Sequence, residues 1–579
     1  MNANTRHKGA KPSDRWTPKS ILCFRTYTRQ NFIADLVAGL TVGLVALPLA
    51  MAFGIASGVT PQAGIYTAVV AGFLISALGG SRTQIGGPTG AFVVIVAGII
   101  AKFGLSGLFM VTLMAGVILI LMGVTGLGSA VKFIPRPVTI GFTNGIALLI
   151  ASTQIKDFLG LKTPAVPSEF LGRMEVLCAH IATADWRTLL VGGVSLGLIL
   201  LWPRVTKKIP GSIVAMLLGT LICAGFHIPI ETIGSKFGGI PTGLPHFMAP
   251  HFRPELILPL LPSAVAVALL AAVESLLSAV VADGMSGDKH NSNVELIAQG
   301  IANIACPLVG GVPATGAIAR TATNIRAGAV SPVSGITHAL TLLLILLVAA
   351  PLARYIPLAT LAAVLFVVAY NMGEWREIAI IWRLSRADKA VWIVTFALTV
   401  LADLTVAVEV GMVLAALLYI QRVSQTTTVS TVTDEYIRAG RAHILQDKIV
   451  PAYVSILRIH GPFLFGAAEK LADETADLRD LAQVVVLRLR NMTAIDATGL
   501  HELEKFADRL RASGRTLLLC GARDQPEQLL TQSTFVQRVG SENILPHVDA
   551  ALTRAREIAE NFGGVGEETA RDFQTHAPV

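Results

Sequence analysis

The sequence predicts an all-α polytopic membrane protein of fourteen spans that is followed by a small soluble α/β domain. Of the 579 residues, 53% are apolar and only 15% are charged, whereas soluble domains contain about 25% charged residues. The apolar composition ends near Val423, and the rest has the mixed composition of a soluble domain. Because a spanning helix needs about 20 residues, the segment 31–423 has room for roughly ten to fourteen spans.

Hydropathy and charge place the individual spans. The apolar runs lie at residues 33–53, 62–79, 89–103, 107–127, 138–153, 188–202, 210–226, 257–282, 294–309, 314–326, 333–351, 356–371, 388–403 and 405–421. If the N-terminus is cytoplasmic, the loops after even-numbered runs should be rich in lysine and arginine, and the loops of this chain follow that rule. The net charge of +8 is therefore a topology signal and does not indicate nucleic-acid binding.

The remaining composition limits the function classes. The basic N-terminus lacks the apolar run and cleavage site of a signal peptide. The five cysteines are scattered without a CxxC pair, which argues against disulfide, zinc and haem frameworks. No P-loop, nucleophile elbow or metal-ligand spacing is present in the sequence, so we expect neither an enzyme nor a cofactor or metal. We divide the chain into an N-terminal segment (1–30), a membrane domain (31–423), a linker (424–450), a soluble domain (451–560) and a tail expected to be disordered (561–579).

A phrase rich in glycine and proline occurs twice in the membrane domain. It reads GGPTGA at Gly86–Ala91 and GGVPATGA at Gly310–Ala317. Each copy precedes a short span, and those spans are seven apart. An odd offset inverts the repeat, and inverted repeats with short, interrupted spans mark transporter substrate sites. A half-helix that starts inside the membrane presents unpaired N–H groups and a positive dipole end, which suit an anion. The alternative is that the glycines only permit close helix packing.

Two ionisable residues lie inside apolar runs, where a charge is costly and indicates a functional site. Glu274 is central in the eighth run, and Arg320 lies about one turn into the tenth run, just after the second phrase. We therefore predict that Arg320 binds an anion together with the half-helix N-termini. Glu274 is placed to exchange its pairing with Arg320, or its proton, with that anion. The alternative is a purely structural Glu–Arg pair.

The soluble domain alternates strand and helix patterns, which predicts a small α/β fold. AYVSILRIHGPFLFGAAEKL is followed by VVVLRL, by NMTAIDATGLHELEKFADRL and by RTLLLC. Asp496 precedes Gly499 and Leu500 and is predicted to be the N-cap of a helix.

Three segments resemble the SulP family of anion transporters, which is the sulfate-permease type. They read ADLVAGLTVGLVALPLAMAFGIASGVTPQAGIYTAVVAG, GGPTGAFVVI and ADGMSGDKHNSNVELIAQGIANI. The resemblance implies seven-plus-seven inverted repeats, a core domain that moves against a gate domain, a homodimer, and a bacterial inner-membrane location with both termini cytoplasmic. It also implies that the anion site is formed by Thr89, Gly90, Ala91, Phe92, Thr315, Gly316, Ala317, Ile318, Ala319 and Arg320.

The same resemblance favours protons over sodium as the coupling ion. Glu274 matches the acidic position of span 8, which is Asp in sodium-coupled bicarbonate members of the family. Those members have Thr four residues later, where this chain has Ser278, and Ile318 stands at the position of a further sodium-binding Thr. We therefore assign Glu274 and Ser278 to ion coupling, with H⁺ preferred to Na⁺.

A narrower resemblance predicts the substrate. GAIARTATNIRAGAVSPVSGITHA and VAYNMGEWREI are similar to the bacterial C4-dicarboxylate carrier of the family. We therefore expect proton-coupled uptake of succinate, fumarate or aspartate. Sulfate or bicarbonate uptake is the alternative, because the same site chemistry suits any small oxyanion. A passive anion channel and a membrane sensor are less favoured.

The soluble domain resembles STAS domains. IDATGL is similar to the loop of anti-sigma-factor antagonists in which a hydroxyl is phosphorylated. Ala497 replaces one hydroxyl and Thr498 keeps the other, so Asp496 and Thr498 form a candidate regulatory loop. The alternative is simple loop and capping chemistry. The resemblance also implies a cytosolic protein partner.

Overall fold

The computed structural model forms two compact units, which we call the membrane unit (Met1–Leu414) and the soluble unit (Ala415–Val579). The described residues are 16–25, 27–128, 135–164, 166–167, 169–206, 210–226, 228–240, 247, 253–402, 404–431, 450–465 and 467–561. Much of the predicted N-terminal segment, linker and tail lies outside these ranges, since residues 1–15, 432–449 and 562–579 are not among them.

The membrane unit is helical, and each predicted apolar run contains a helix. The helices are α1 (Lys19–Phe24), α2 (Arg29–Ala56), α3 (Pro61–Leu78), α4 (Gly90–Val124), α5 (Arg136–Leu159), α6 (Phe170–Ala179), α7 (Trp186–Val205), α8 (Gly211–Gly225), α9 (Ile233–Phe237), α10 (Ile257–Ser286), α11 (Ser292–Ala305), α12 (Ile318–Arg326), α13 (Val333–Ala353), α14 (Leu358–Met372), α15 (Trp375–Ile381), α16 (Arg386–Leu401) and α17 (Leu404–Thr426). Two short strands, β1 (Gly86–Gly87) and β2 (Thr315–Gly316), interrupt the helical pattern.

Local sequence sets where helices begin and bend. The Thr60 hydroxyl caps α3 by accepting a bond from the Ala63 backbone N–H at 3.3 Å. Pro61 occupies the first position of α3, where its missing N–H costs nothing. Gly104 breaks α4, because its backbone (φ 69°, ψ −175°) is not helical. The predicted runs 89–103 and 107–127 are therefore two helices that meet at this break.

Eight helices among the described residues are long and apolar enough to cross a membrane. Others are shorter, with 14 residues in α11, 9 in α12 and 16 in α16. A short α12 is what a segment that begins inside the membrane requires. The polytopic helical fold is thus present, and the count of fourteen spans stays a prediction.

Packing divides the helices of the membrane unit into two groups. α2, α3, α4, α10, α11, α12 and α13 pack mainly against one another, whereas α5, α7, α8, α14 and α16 form a second group. The two groups correspond to the core and gate that the family resemblance implies. Within the core, a Cβ added to Gly116 of α4 would lie 2.7 Å from the carbonyl oxygen of Gly300 in α11. Glycine at both positions therefore permits this close crossing.

The soluble unit is a five-stranded sheet with helices on both faces. Its elements are β3 (Thr428–Thr431), β4 (Val454–Phe463), α18 (Glu469–Glu474), β5 (Val484–Ile495), α19 (Ala497–Ala512), β6 (Thr516–Cys520), α20 (Asp524–Gln532), α21 (Phe535–Val539), β7 (Ile544–Leu545) and α22 (Val548–Asn561). The strand order is β3-β4-β5-β6-β7. β3 is antiparallel to β4, and the remaining neighbours are parallel. The edge strand β3 lies within the segment 424–450 that the sequence assigned to a linker.

Alternation along the strands builds two small cores in the soluble unit. Val485 and Leu487 of β5 pack in the same cluster as Phe506 of α19, whereas Val484 and Val486 pack with α22 on the other face. This period of two is the strand pattern that the sequence contains. At the end of β6, burial raises the pKa of the Cys520 thiol to about 11, so the thiol stays protonated and unreactive at neutral pH.

Gly64 tests the close contact between α3 and α2, because an added Cβ would lie 2.0 Å from the carbonyl oxygen of Ala50. We expect Gly64→Ala to lower the melting temperature of the purified protein, because overpacking costs about 1–3 kcal/mol. The matched control is Gly98→Ala in α4, where a Cβ meets no heavy atom within 4 Å. Alanine favours a helix over glycine, so the control should not destabilise. Equal melting temperatures for the two variants would contradict the close contact.

Candidate functional site

The two repeated phrases meet as a short antiparallel pairing, which we call the β1–β2 ladder. Gly86 pairs with Gly316, and Gly87 pairs with Thr315. All four residues are buried. Backbone polar groups inside a membrane need partners within the protein, and the ladder supplies them for two interrupted segments. It thereby joins parts of the chain that the sequence keeps far apart.

Each strand of the ladder leads directly into a helix. α4 begins after Thr89, an N-cap residue with extended backbone (φ −126°, ψ 160°), and α12 begins after Ala317. Two helix N-termini with unpaired N–H groups are therefore held at one place. The residues that the sequence assigned to the anion site lie at these two N-termini: Thr89, Gly90, Ala91, Phe92, Thr315, Gly316, Ala317, Ile318, Ala319 and Arg320.

These residues differ in accessibility and in what their side chains do. Ile318 is 39% exposed and Ala319 is also exposed, whereas the Phe92 side chain is buried in the core. The Thr315 hydroxyl donates to the carbonyl of Ala271 at 2.8 Å. This side chain therefore anchors β2 to α10 rather than presenting its hydroxyl to a ligand.

Arg320 connects the second half-helix to the first phrase. Its side chain is almost fully buried, and its Nη2 donates to the carbonyl oxygen of Pro88. A Cβ added to Gly87 would lie 2.7 Å from Nη1, and the φ of +148° at this position also favours glycine. Among the described residues Nη1 has no hydrogen-bond partner. Arg320 therefore retains a donor that an anion can use.

Glu274 reaches the other half-helix. The Thr89 hydroxyl donates to Glu274 Oε2 at 2.8 Å, so the carboxylate lies at the N-cap of α4. The sequence left open a structural Glu274–Arg320 ion pair, and the described residues contain no such pair within 4 Å. The physical reason is that each group has found a different partner on the first phrase, since the Pro88 carbonyl accepts from Arg320 and the Thr89 hydroxyl donates to Glu274.

Ser278 lies one turn along α10 from Glu274 and is fully buried. Its hydroxyl donates to Thr321 Oγ1 at 3.0 Å, and the same Thr321 oxygen accepts from the Ile85 backbone N–H at 3.0 Å. Ser278 therefore fastens α10 and α12 to the segment that precedes β1. Its assignment to ion coupling stays a prediction.

Sequence reasoning missed three apolar residues of other helices that pack against the start of α4. A Cβ on Gly90 would lie 2.9 Å from Ile150 Cδ1, 3.3 Å from Phe53 Cε1 and 3.4 Å from Met372 Sδ. Ile150 and Met372 belong to the gate group, so gate side chains pack against the N-terminus of α4. No sequence signal distinguishes these side chains from the other apolar residues in their runs.

The sequence also did not predict that two buried carboxylates bind the backbone of connecting segments. Asp35, near the start of α2, is fully buried and accepts the N–H groups of Val330 and Ser331 at 2.8 and 3.1 Å. Glu295 accepts the N–H groups of Gly80 and Ser81 at 2.9 and 3.2 Å. Both carboxylates bind the backbone of a connecting segment, which lowers the cost of burying it.

In the soluble unit, Asp496 is the N-cap of α19. Its Oδ1 accepts from the Gly499 N–H at 2.8 Å, and its Oδ2 accepts from the Phe465 N–H at 3.0 Å. Thr498 follows on the exposed first turn. The hydroxyl is therefore accessible, and its phosphorylation stays a prediction.

Comparison with known proteins identifies the family. A model of the sulfate permease family matches residues 32–395. The chain belongs to the sulfate permease family. A model of the STAS domain matches residues 446–551. The resemblances to the SulP family and to STAS domains are thereby confirmed.

Relatives and solved structures extend this result over nearly the whole chain. The putative sulfate transporter YvdB of Bacillus subtilis is 42% identical over 91% of this chain and 98% of its own length. The bicarbonate transporter BicA of Picosynechococcus is 33% identical over 91% and 95%. The solved transmembrane domain of a cyanobacterial BicA is 34% identical, covers 66% of this chain and 98% of its own, and has a TM-score of 0.61. The structure of SLC26A9 shares the fold at 18% identity, with a TM-score of 0.83 over 95% and 94%.

This SulP protein is therefore an anion transporter, not an enzyme. It is a multi-pass bacterial membrane protein with a STAS domain at its C-terminal end.

Asp496→Ala tests the capping contacts of the STAS domain. The variant removes the acceptor for the N–H groups of Gly499 and Phe465, and losing an N-cap costs about 0.5–2 kcal/mol. We expect faster hydrogen exchange in peptides that contain these two residues, measured by mass spectrometry on the full chain. Asp496→Asn keeps an oxygen acceptor and should exchange nearly as slowly as the unmodified protein. If all three proteins exchange alike, Asp496 does not hold this loop.

Proposed function

We propose that this SulP protein imports a small divalent oxyanion, in the first place sulfate, together with a proton. One arrangement carries the proposal: Arg320 and the N-termini of α4 and α12 converge on the β1–β2 ladder. Glu274 binds the N-cap residue of one of those helices. The anion would bind beside Arg320, and Glu274 would carry the proton.

The charges at this place suit a doubly charged anion. Arg320 contributes one positive charge and each helix N-terminus contributes about half of one, so the sum is about +2. Protonated Glu274 leaves this sum unchanged, whereas ionised Glu274 lowers it to about +1. A divalent anion therefore binds best to the form in which Glu274 holds a proton. Because linkage is reciprocal, bound anion also favours the protonated form, which couples the two ligands.

The names of the relatives support an inorganic oxyanion. The Bacillus subtilis relative is named as a putative sulfate transporter, and the cyanobacterial relative is named as a bicarbonate transporter. The expectation of a C4-dicarboxylate rested on two short segments, and neither name supports it. Succinate and fumarate therefore become comparison substrates in the test below.

Packing around α4 also supports a small substrate. Ile150, Phe53 and Met372 crowd the N-terminal residue Gly90 with apolar atoms. A compact tetrahedral anion needs less of this space than a four-carbon chain does.

Bicarbonate is the second candidate, and the similarity to BicA favours it. A monovalent anion would match the site with Glu274 ionised, and its transport would then need no proton.

Three further assignments belong to this proposal. We propose that the protein acts as a homodimer and that its STAS domain binds a cytosolic protein. We also propose that Ser278 supports coupling by holding Thr321.

Competition in proteoliposomes tests the substrate. We expect unlabelled sulfate to inhibit uptake of labelled sulfate more strongly than bicarbonate does, and succinate to inhibit weakly. Arg320→Gln should lower uptake at least about tenfold, which corresponds to about 1.4 kcal/mol. Arg326→Gln is the matched control, since Arg326 is exposed at the far end of the same helix. Stronger inhibition by succinate than by sulfate would restore the dicarboxylate hypothesis.

Uptake under a pH gradient tests the coupling. We expect sulfate to accumulate when the outside is more acidic than the inside, because protons entering with the anion drive it inward. Glu274→Gln cannot release a proton, so the variant should equilibrate sulfate without responding to the gradient. Glu231→Gln, at a glutamate whose side chain is 67% exposed, should behave as the unmodified protein. Accumulation by Glu274→Gln equal to that of the unmodified protein would refute the coupling role.

A further inference from the structure

A groove lies on the flank of the membrane unit, between the core helices α2, α3 and α13 and the gate helix α8. Its volume is about 590 Å³, which is in the range of small-molecule sites. Its walls are apolar side chains such as Leu47, Met51, Met216 and Leu346. The hydroxyl of the wall residue Thr220 donates to the carbonyl of Met216 within α8. The groove therefore suits a hydrocarbon ligand rather than a hydrated one. We call it the flank groove.

The flank groove is continuous with exposed apolar surface. Leu44 of α2, Leu217 and Leu221 of α8 and Leu352 of α13 line it and are 46%, 55%, 66% and 66% exposed. α2 and α13 are long and apolar enough to span a membrane, and α8 is a shorter apolar helix, so we expect these exposed leucines to meet acyl chains. A ligand can therefore enter from the bilayer without crossing the aqueous phase.

One end of the flank groove carries groups that suit a lipid headgroup. Tyr355 lines the groove and is 45% exposed. The neighbouring Arg354 is exposed, with its guanidinium carbon 5.3 Å from the centre of the Tyr355 ring. Both residues lie in the short connection between α13 and α14, which the charge pattern of the loops places outside the cytoplasm. Tyrosine is enriched at membrane interfaces, and arginine binds phosphate through paired N–H donors.

We propose that the flank groove binds an acyl chain of a glycerophospholipid from the outer leaflet, and that Arg354 binds its phosphate. Apolar walls and an entrance from the bilayer select the chain, and the cation at the interfacial end selects the headgroup. The bound chain would lie between core and gate, as a specific lipid rather than one of the mobile lipids around the protein. Binding requires no transport, so the proposal does not depend on the identity of the anion.

Photolabelling of the full chain tests the site. The protein is reconstituted in phosphatidylethanolamine vesicles that contain phosphatidylglycerol with a diazirine in its acyl chain, and the labelled residues are mapped by mass spectrometry. We expect labelling to concentrate on the groove faces of α8 and α13. Labelling spread evenly over all lipid-facing helices would overturn the proposal.

Two neighbouring residues of α13 provide a matched pair of variants. Ala349 lines the flank groove, whereas Val348 is 72% exposed and is not part of its wall. Ala349→Phe should fill the groove and reduce labelling of α8 several-fold, and Val348→Phe should leave it unchanged. Equal labelling in both variants would overturn the assignment of the groove.

A second pair tests the headgroup contact and does not alter the packing of the groove. Arg354→Gln should reduce the phospholipid that remains bound after detergent purification, measured by native mass spectrometry. The control is Arg187→Gln, because Arg187 is also exposed outside the cytoplasm and lies 5.6 Å from the ring of Trp186. Equal retention in the two variants would contradict the phosphate contact, even if Ala349→Phe failed to fold.

Discussion

The β1–β2 ladder is the interaction on which the geometry of the proposed anion site depends. It holds two half-helices that begin inside the membrane, where unpaired backbone groups cost several kcal/mol each. The Ala317 N–H extends the pairing by donating to the Ile85 carbonyl at 2.8 Å. Glycine at Gly316 leaves room for the Gln84 amide, which an added Cβ would overlap, and for the close approach of the Ser275 backbone. The ladder therefore joins the two helix N-termini directly, in addition to the packing of both helices against α10.

A single helix, α10, links the ladder to the proposed coupling residue. The Ser275 carbonyl accepts from the Gln84 amide at 3.1 Å, and Ser278 binds Thr321. Glu274 lies beside these anchors on the same helix and binds Thr89. Any displacement of Glu274 along its helix would therefore strain the contacts that hold both phrases. Glu274 is therefore linked to the residues that anchor both phrases because all of them lie on α10.

The same constraint on buried polar groups explains the acids outside the site. Asp35 and Glu295 each accept two backbone N–H groups from a connecting segment. Asp35 accepts in addition from the hydroxyls of Tyr27 and Ser331. A charge inside an apolar run is therefore not sufficient to identify a substrate site. What separates Glu274 from these acids is that its partner, Thr89, caps a half-helix of the repeat.

The sequence by itself determined the classes of secondary structure and the charged residues that are costly to bury inside apolar runs. Apolar runs placed the helices, alternation placed the strands of the STAS domain, and the repeated phrase together with Arg320 and Glu274 indicated the candidate site. These signals act over a few residues or depend on composition, so they can be read along the chain. The edge strand β3 was missed because its four residues are too few for a clear alternation.

Only the tertiary structure decided which residues are hydrogen-bond partners. Thr89 is separated from Glu274 by 185 residues, and Pro88 from Arg320 by 232. No local pattern specifies such pairs, because they follow from the way α10 and α12 pack around the β1–β2 ladder. For the same reason, the sequence located Glu274 and Arg320 in one site but could not separate them into contacts with different residues of the first phrase.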